Sequence, residues 1–226
     1  MRKIITVLTL LCLTVMSVSA SDEDTLASAY FSGDGEGRRI ALTFDDGPHP
    51  KHTREILKIL DEYGVKATFF IIGKLAEEYP DIVVEEINAG HEVASHTWSH
   101  PNVNTLTEAG LTNELYETEQ FLKTLADYKP ALFRPPEGKC GENVLRAAAA
   151  FDYDVILWTV DTKDWAHTPS DKIVENVLAN TDAGSIILCH DFVAYDSPTP
   201  DALREFIPKL KENGYEFVTV SQLLFD

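Results

Sequence analysis

Arg39-Ile40-Ala41-Leu42-Thr43-Phe44-Asp45-Asp46-Gly47-Pro48 begins as an apolar, strand-forming run and ends in two adjacent carboxylates on turn-forming residues. It reads as a strand with polar chemistry at its C-terminal end, and no Gly-rich phosphate-binding loop follows it. Outward from this stretch the pattern repeats. Short β-branched or apolar runs at 67–72, 92–95, 131–134, 154–159, 185–188 and 217–220 alternate with helix-period segments at 54–63, 82–89, 108–125, 143–151, 171–180, 200–213 and 221–225. Thr53 is the expected N-cap of the first helix, and Gly64, Gly90 and Gly214 stand where helices should end. Strands that are each followed by a helix imply an α/β fold, a distorted (β/α)7 TIM-like barrel in a single domain rather than an open doubly wound sheet.

The N-terminus has its own layout. Arg2 and Lys3 precede an apolar stretch from Ile4 to Val18, and Val18-Ser19-Ala20 leads into an acidic segment. Residues 1–20 are expected to be a secretory signal peptide cleaved after Ala20, with an uncleaved anchor as the alternative. The apolar stretch is shorter than the roughly 20 residues of a membrane-spanning helix, so stable membrane insertion is not expected. Residues 21–36, rich in Asp, Glu, Ser and Gly, read as a flexible leader, and residues 37–226 as the folded domain. The protein is expected outside the cell or associated with the cell wall, and as a monomer.

The 226-residue chain carries a formal charge of −18, and loss of residues 1–20 removes Arg2 and Lys3 but no acid. That balance argues against nucleic acid and anionic membranes as partners. Cys140 and Cys189 follow the first 20 residues, too few for a disulfide scaffold, and both are expected as free thiols.

Unusual polar residues collect at the strand ends. Asp45 and Asp46 follow the first strand, His96 and His100 the third and Arg134 closes the fourth; Asp161 and Asp164 follow the fifth, and His190 the sixth. In a (β/α) barrel these ends share one face, so distant residues converge. A carboxylate with two imidazoles can hold a divalent first-row metal while leaving positions open, which makes Asp46, His96 and His100 the candidate ligands, the two histidines meeting if their segment takes a helical turn. Asp45 is the candidate general base, Arg134 the cation that keeps it ionised, His190 the acid for a departing amine, and Asp164 the carboxylate that keeps His190 protonated. His49, His52 and His167 read as solvated loop histidines, His91 as packed, and Trp98 as a core anchor or a sugar platform.

Thr43-Phe44-Asp45-Asp46-Gly47-Pro48, Ser95-His96-Thr97-Trp98-Ser99-His100, Arg134-Pro135-Pro136-Glu137-Gly138, Asp161-Thr162-Lys163-Asp164-Trp165 and Leu188-Cys189-His190 resemble the five ordered motifs of the polysaccharide deacetylases, the NodB-type carbohydrate esterase family four. The resemblance spans about residues 38–225. It implies one zinc ion, with cobalt or nickel as alternatives, held by Asp46, His96 and His100. It also implies Asp45 as base, His190 as acid, Arg134 positioning Asp45 and Asp164 tuning His190. Trp165 and Leu188 would form the acetyl pocket, and the backbone N–H of Glu137 would bind the oxyanion. Glu137 stands where many relatives carry an aromatic residue, which replaces a stacking surface with a negative charge.

The expected activity is removal of N-acetyl groups from a glycan substrate, GlcNAc-type residues of peptidoglycan, with release of acetate. Chitin oligomers, MurNAc residues and acetylated xylan are alternative substrates on the same catalytic set. A silent glycan-binding domain and a two-metal phosphoesterase are the rivals from other classes. The first should have lost a catalytic group, and the second needs more ligands than one Asp and two His.

Overall fold

The computed structural model describes residues 25–193 and 196–226. The expected signal peptide and the first part of the expected leader lie outside the described residues. Nine strands form one parallel sheet: β1 (Ala29–Tyr30), β2 (Arg39–Asp45), β3 (Thr68–Ile71), β4 (Glu92–Ser95), β5 (Leu132–Phe133), β6 (Asp154–Ile156), β7 (Val160–Asp161), β8 (Ile186–His190) and β9 (Glu216–Val218). Their order is β1-β6-β5-β4-β3-β2-β8-β7, with β9 on β2. The sheet curls into a half-barrel. Around it run α1 (His52–Tyr63), α2 (Gly73–Glu78), α3 (Pro80–Asn88), α4 (Glu108–Ala126), α5 (Glu142–Ala149), α6 (Ser170–Asn180), α7 (Thr199–Glu212) and α8 (Val220–Phe225). None of the helices among the described residues is long and apolar enough to cross a membrane.

Alternation along the strands sorts the core into two layers, because successive side chains point to opposite faces. Ala41, Phe70, Ala94, Leu132, Ile156 and Ile186 face one another as an inner cluster. Leu42, Phe44, Phe69, Val93, Ile187 and Cys189 face outward and pack with Ile56, Leu60, Val83, Ile173, Phe206 and Ile207 of the helices. The inward phase continues to the C-terminal rim. Two residues beyond Ala41 and Ile186 stand Thr43 and Leu188, and two further on Asp45 and His190.

The segment 154–159, expected as one strand, is two. β6 pairs with β5 and β1, while β7 pairs with β8, so the chain crosses the open seam through Leu157, Trp158 and Thr159. Carbonyls freed at the break need donors. Arg134 supplies them: its Nε donates to the Ile156 carbonyl and its Nη2 to that of Leu157, both at 3.1 Å.

Residues 25–36 correct the expected leader and the domain boundary at Gly37. Ala29 and Tyr30 add to β6 opposite Val155 and Ile156, Ala27 N–H donates to the Leu145 carbonyl, and Gly33 N–H to that of Gly184. The capping expectation is also corrected. The residue before α1 is Lys51, with no side-chain cap, and the Thr53 hydroxyl donates to Asp191 while accepting from His49 N–H.

Candidate active site

Asp45, Asp46, His96, His100, Glu137, Trp165, Leu188 and His190 line one cavity of about 420 Å³ at the C-terminal rim. Arg134 and Asp164 stand directly behind it, both fully buried.

Asp46, His96 and His100 offer one ligand atom each, all within 4.8 Å of one another. Asp46 Oδ1 lies 3.4 Å from His96 Nε2 and 3.3 Å from His100 Nε2, and this buried oxygen has no hydrogen-bond partner. The donor set fits a divalent first-row ion: one carboxylate oxygen and two imidazole nitrogens converge on one point. His96 Nδ1 sits 2.7 Å from the Arg134 carbonyl, which can only accept. Nδ1 therefore carries the proton, and the Nε2 lone pair faces Asp46. Burial works against ionised Asp46, but the positive charge that His96, His190 and His100 can carry outweighs it and holds the carboxyl below the usual range.

No helical turn joins the two histidines. Thr97 (φ 71°) and His100 (φ 54°) take left-handed backbone, as do Asp46 (φ 72°) and Glu137 (φ 57°) elsewhere on the rim. Such conformations cost on the order of 1–3 kcal/mol each and persist only where the surroundings hold them. Here the holding groups are plain. The carbonyls of Thr97 and Trp98 accept from Gly73 N–H and Lys74 N–H at the start of α2, and both oxygens of Glu114 on α4 accept from Ser99. Trp98 is a core anchor: a Cβ on Gly73 would fall 2.2 Å from its ring, and it meets Phe121 edge-on.

Two ion pairs flank the cluster. Arg134 Nη1 donates to Asp45 Oδ1 at 2.7 Å and to Thr43 Oγ1 at 2.8 Å, with its guanidinium over the Phe70 ring. His190 Nδ1 lies 2.7 Å from Asp164 Oδ1, whose carboxylate also accepts from His190 N–H, Trp165 N–H and the Thr199 hydroxyl. Burial lowers the His190 pKa, but the hydrogen bond and charge of Asp164, joined by the charges of Asp45 and Asp46, outweigh it and carry it up to about 9.

The structure brings together the ten residues given a role from the sequence, with Asp161, also read there as a strand-end carboxylate, and others beside them. Trp158, Asp161 and Gly138 share the cavity lining. Asp161 Oδ1 accepts from Trp165 Nε1 at 3.4 Å and so fixes the exposed indole, which stands with buried Leu188. Trp158 lies two residues past inward-facing Ile156, so alternation pointed to it, but reading 154–159 as one strand hid the seam. Glu137 pairs with Lys139 at 2.7 Å, which offsets its charge. His52 is buried against His49, not solvated, and His91 is packed with its Nδ1 accepting from Ala67 N–H. Cys140 and Cys189 are free thiols.

Known proteins share this arrangement. A sequence profile of the polysaccharide deacetylase family matches residues 32–156. A peptidoglycan-N-acetylglucosamine deacetylase of Bacillus cereus is 42% identical over 194 residues, 85% of this chain and 70% of the relative. A chitooligosaccharide deacetylase of Sinorhizobium fredii is 34% identical, covering 85% of this chain and 94% of its own. Among solved structures, the Bc1960 peptidoglycan N-acetylglucosamine deacetylase superposes with a TM-score of 0.83 at 40% identity, covering 88% of this chain and 93% of that one. With fold, rim cluster and sequence in agreement, the chain belongs to the polysaccharide deacetylases, metal-dependent hydrolases that remove N-acetyl groups from amino sugars.

Proposed function

We propose that this enzyme removes the acetyl group from N-acetylglucosamine residues of peptidoglycan, using Asp45 as base and His190 as acid on opposite sides of the Asp46–His96–His100 cluster. The observation that carries the reading is the pairing of Asp45 with Arg134 and of His190 with Asp164 around one metal-ligand set in one cavity. Asp46, His96 and His100 would hold the ion, zinc in first place with cobalt or nickel as alternatives. Such an ion polarises a carbonyl and makes water more acidic. Trp165 and Leu188 receive the acetyl methyl, and the Glu137 backbone N–H faces the carbonyl oxygen as charge builds on it. Asp45, aimed by Arg134, takes a proton from the attacking water. His190, its Nδ1–H tied to Asp164, gives its Nε2 proton to the sugar nitrogen as the C–N bond breaks. Acetate and a free amine leave.

The peptidoglycan assignment draws on the Bacillus cereus relatives. Chitin oligomers are the second reading, favoured by a chitooligosaccharide deacetylase matched over nearly its whole length. Acetate release by zinc-reconstituted protein on peptidoglycan, chitin oligomers and acetylated xylan decides between them, with Asp45→Asn as the control. Metal-dependent acetate from peptidoglycan alone, abolished in Asp45→Asn, is the expected result; acetate only from chitin oligomers moves the assignment, and none from any leaves a glycan-binding role. Secretion is part of the proposal, supported by the charge and apolar layout of residues 1–20. Mass spectrometry of exported protein should find Ser21 as the first residue.

A further inference from the structure

The turn that carries Asp45 and Asp46 is wedged between two strands, and one wedge has no part in the chemistry above. On one side Ile72 N–H donates to the Gly47 carbonyl at 2.9 Å. On the other lies Asp191, 1% exposed, one residue past β8. Its N–H donates to the Asp45 carbonyl at 3.2 Å, extending the β2–β8 ladder beyond the last paired residues. Its carboxyl lies against Gly47 so closely that a Cβ there would fall 2.1 Å from Oδ2 and 2.3 Å from Oδ1. Oδ2 accepts from the Thr53 hydroxyl at 2.5 Å, and that hydroxyl accepts from His49 N–H at 2.7 Å, just past the turn. Gly47 does not have a left-handed φ, so the side-chain space at this position is denied by Asp191 and not by the backbone.

We infer that Asp191 is a positioning residue for the metal ligand Asp46, clamping the Asp46–His49 turn through Gly47 and Thr53. The ligand carboxylate sits on left-handed backbone and accepts no hydrogen bond at its buried Oδ1, so little but the turn fixes its aim. Partners that orient a metal ligand without touching the ion typically change its affinity 10–100-fold when removed. Asp191 acts one step further back, on the ligand's backbone, and the lower end of that range is expected.

The inference rests on Asp46, His96 and His100 being the metal set, and its test reads metal affinity instead of turnover. Zinc affinity is measured by chelator competition on the full chain, with the melting temperature of the metal-free protein beside it. Asp191→Ala and Gly47→Ala should each weaken zinc binding about tenfold or more, while Asp191→Asn, which keeps the volume and the acceptor for Thr53, stays within about threefold. Thr53→Val, which keeps the shape but removes the hydroxyl that Asp191 and His49 N–H share, should weaken binding in the same direction. The double variant Gly47→Ala/Asp191→Ala should bind no worse than Gly47→Ala alone, because the new methyl enters the space the carboxyl vacates. Folded Asp191→Ala with a lower melting temperature but wild-type zinc affinity would overturn the inference, as would additive losses in the double variant. A wild-type chain that binds no zinc would instead sink the metal assignment beneath it.

Discussion

His190 holds its proton because Asp164 does not let it go. Burial alone would favour neutral imidazole, yet the bond to Asp164 and the nearby carboxylates lift the pKa from 6.5 to about 9. The acid form is lost as pH rises past the pKa, so kcat in a pH–rate profile should fall on an alkaline limb that lies above 6.5 and no higher than about 9. Asp164→Asn should move this alkaline limb toward the ordinary histidine range. A cation among the carboxylates cancels part of the field of Asp45 and Asp46, so NMR titration of the metal-free protein should give a higher His190 pKa than the limb of the loaded enzyme. The same shift is a stability statement. With a folded-state pKa above the unfolded one, His190 stabilises fully below about 6.5, and the contribution fades as pH climbs through about 9. His190→Ala should lower the rate by about 10²–10⁴-fold, the usual yield of a positioned acid, while leaving zinc binding intact by chelator competition.

The elements that present the site are short, and their ends matter more than their lengths. Glu92–Ser95 delivers His96 to the rim, but His100 arrives on a loop moulded by α2 and α4. Gly73→Ala should drive a methyl into the Trp98 ring and lift that loop. Calorimetry should show about 1–3 kcal/mol of destabilisation from the overpacking, accompanied by weaker zinc binding. This loop also marks where sequence reading reached its limit. His96 and His100 were legible as a pair because they follow a strand of clear β pattern, but the expected helical turn was wrong: Thr97 and His100 adopt left-handed backbone that only Glu114 and α2 make tolerable. α2 went unread because Gly73-Lys74-Leu75-Ala76-Glu77-Glu78 is too short to show a period and opens on a glycine. β1 went unread because two residues in a Ser- and Asp-rich segment carry no alternation. Thr53 looked like a cap from its place before a helix, yet its hydroxyl is engaged with Asp191 at the end of the strand beside β2. Strand and helix positions that bury large apolar faces were visible, and so were the charged pairs at the strand ends; loop and cap geometry that depends on a partner far along the chain was not.

Across the whole molecule the sheet never becomes a closed ring, and both ends of its order need covering. β1 covers β6, which gives residues 25–36 a structural task. A chain beginning at Gly37 should melt lower than one beginning at residue 25, by roughly 4–8 °C if the lost strand and its anchors are worth about 2 kcal/mol. The chain that crosses between those two ends is tied down by a side chain. Arg134 is fully buried and makes four hydrogen bonds, to Asp45, Thr43 and two carbonyls of the broken strand. Arg134→Ala should therefore cost about 3–5 kcal/mol in urea unfolding, since it strands a buried carboxylate as well as those carbonyls. One guanidinium thus serves as mortar in the wall and as counter-ion to the base, and the two duties come under separate selection. A descendant that gave up catalysis could drift at His190 but would be punished in its fold at Arg134, and at Asp45 for leaving the buried guanidinium without its counter-charge. An arginine at this position in a distant cousin therefore certifies the architecture, and only its companions on the rim testify to a living enzyme.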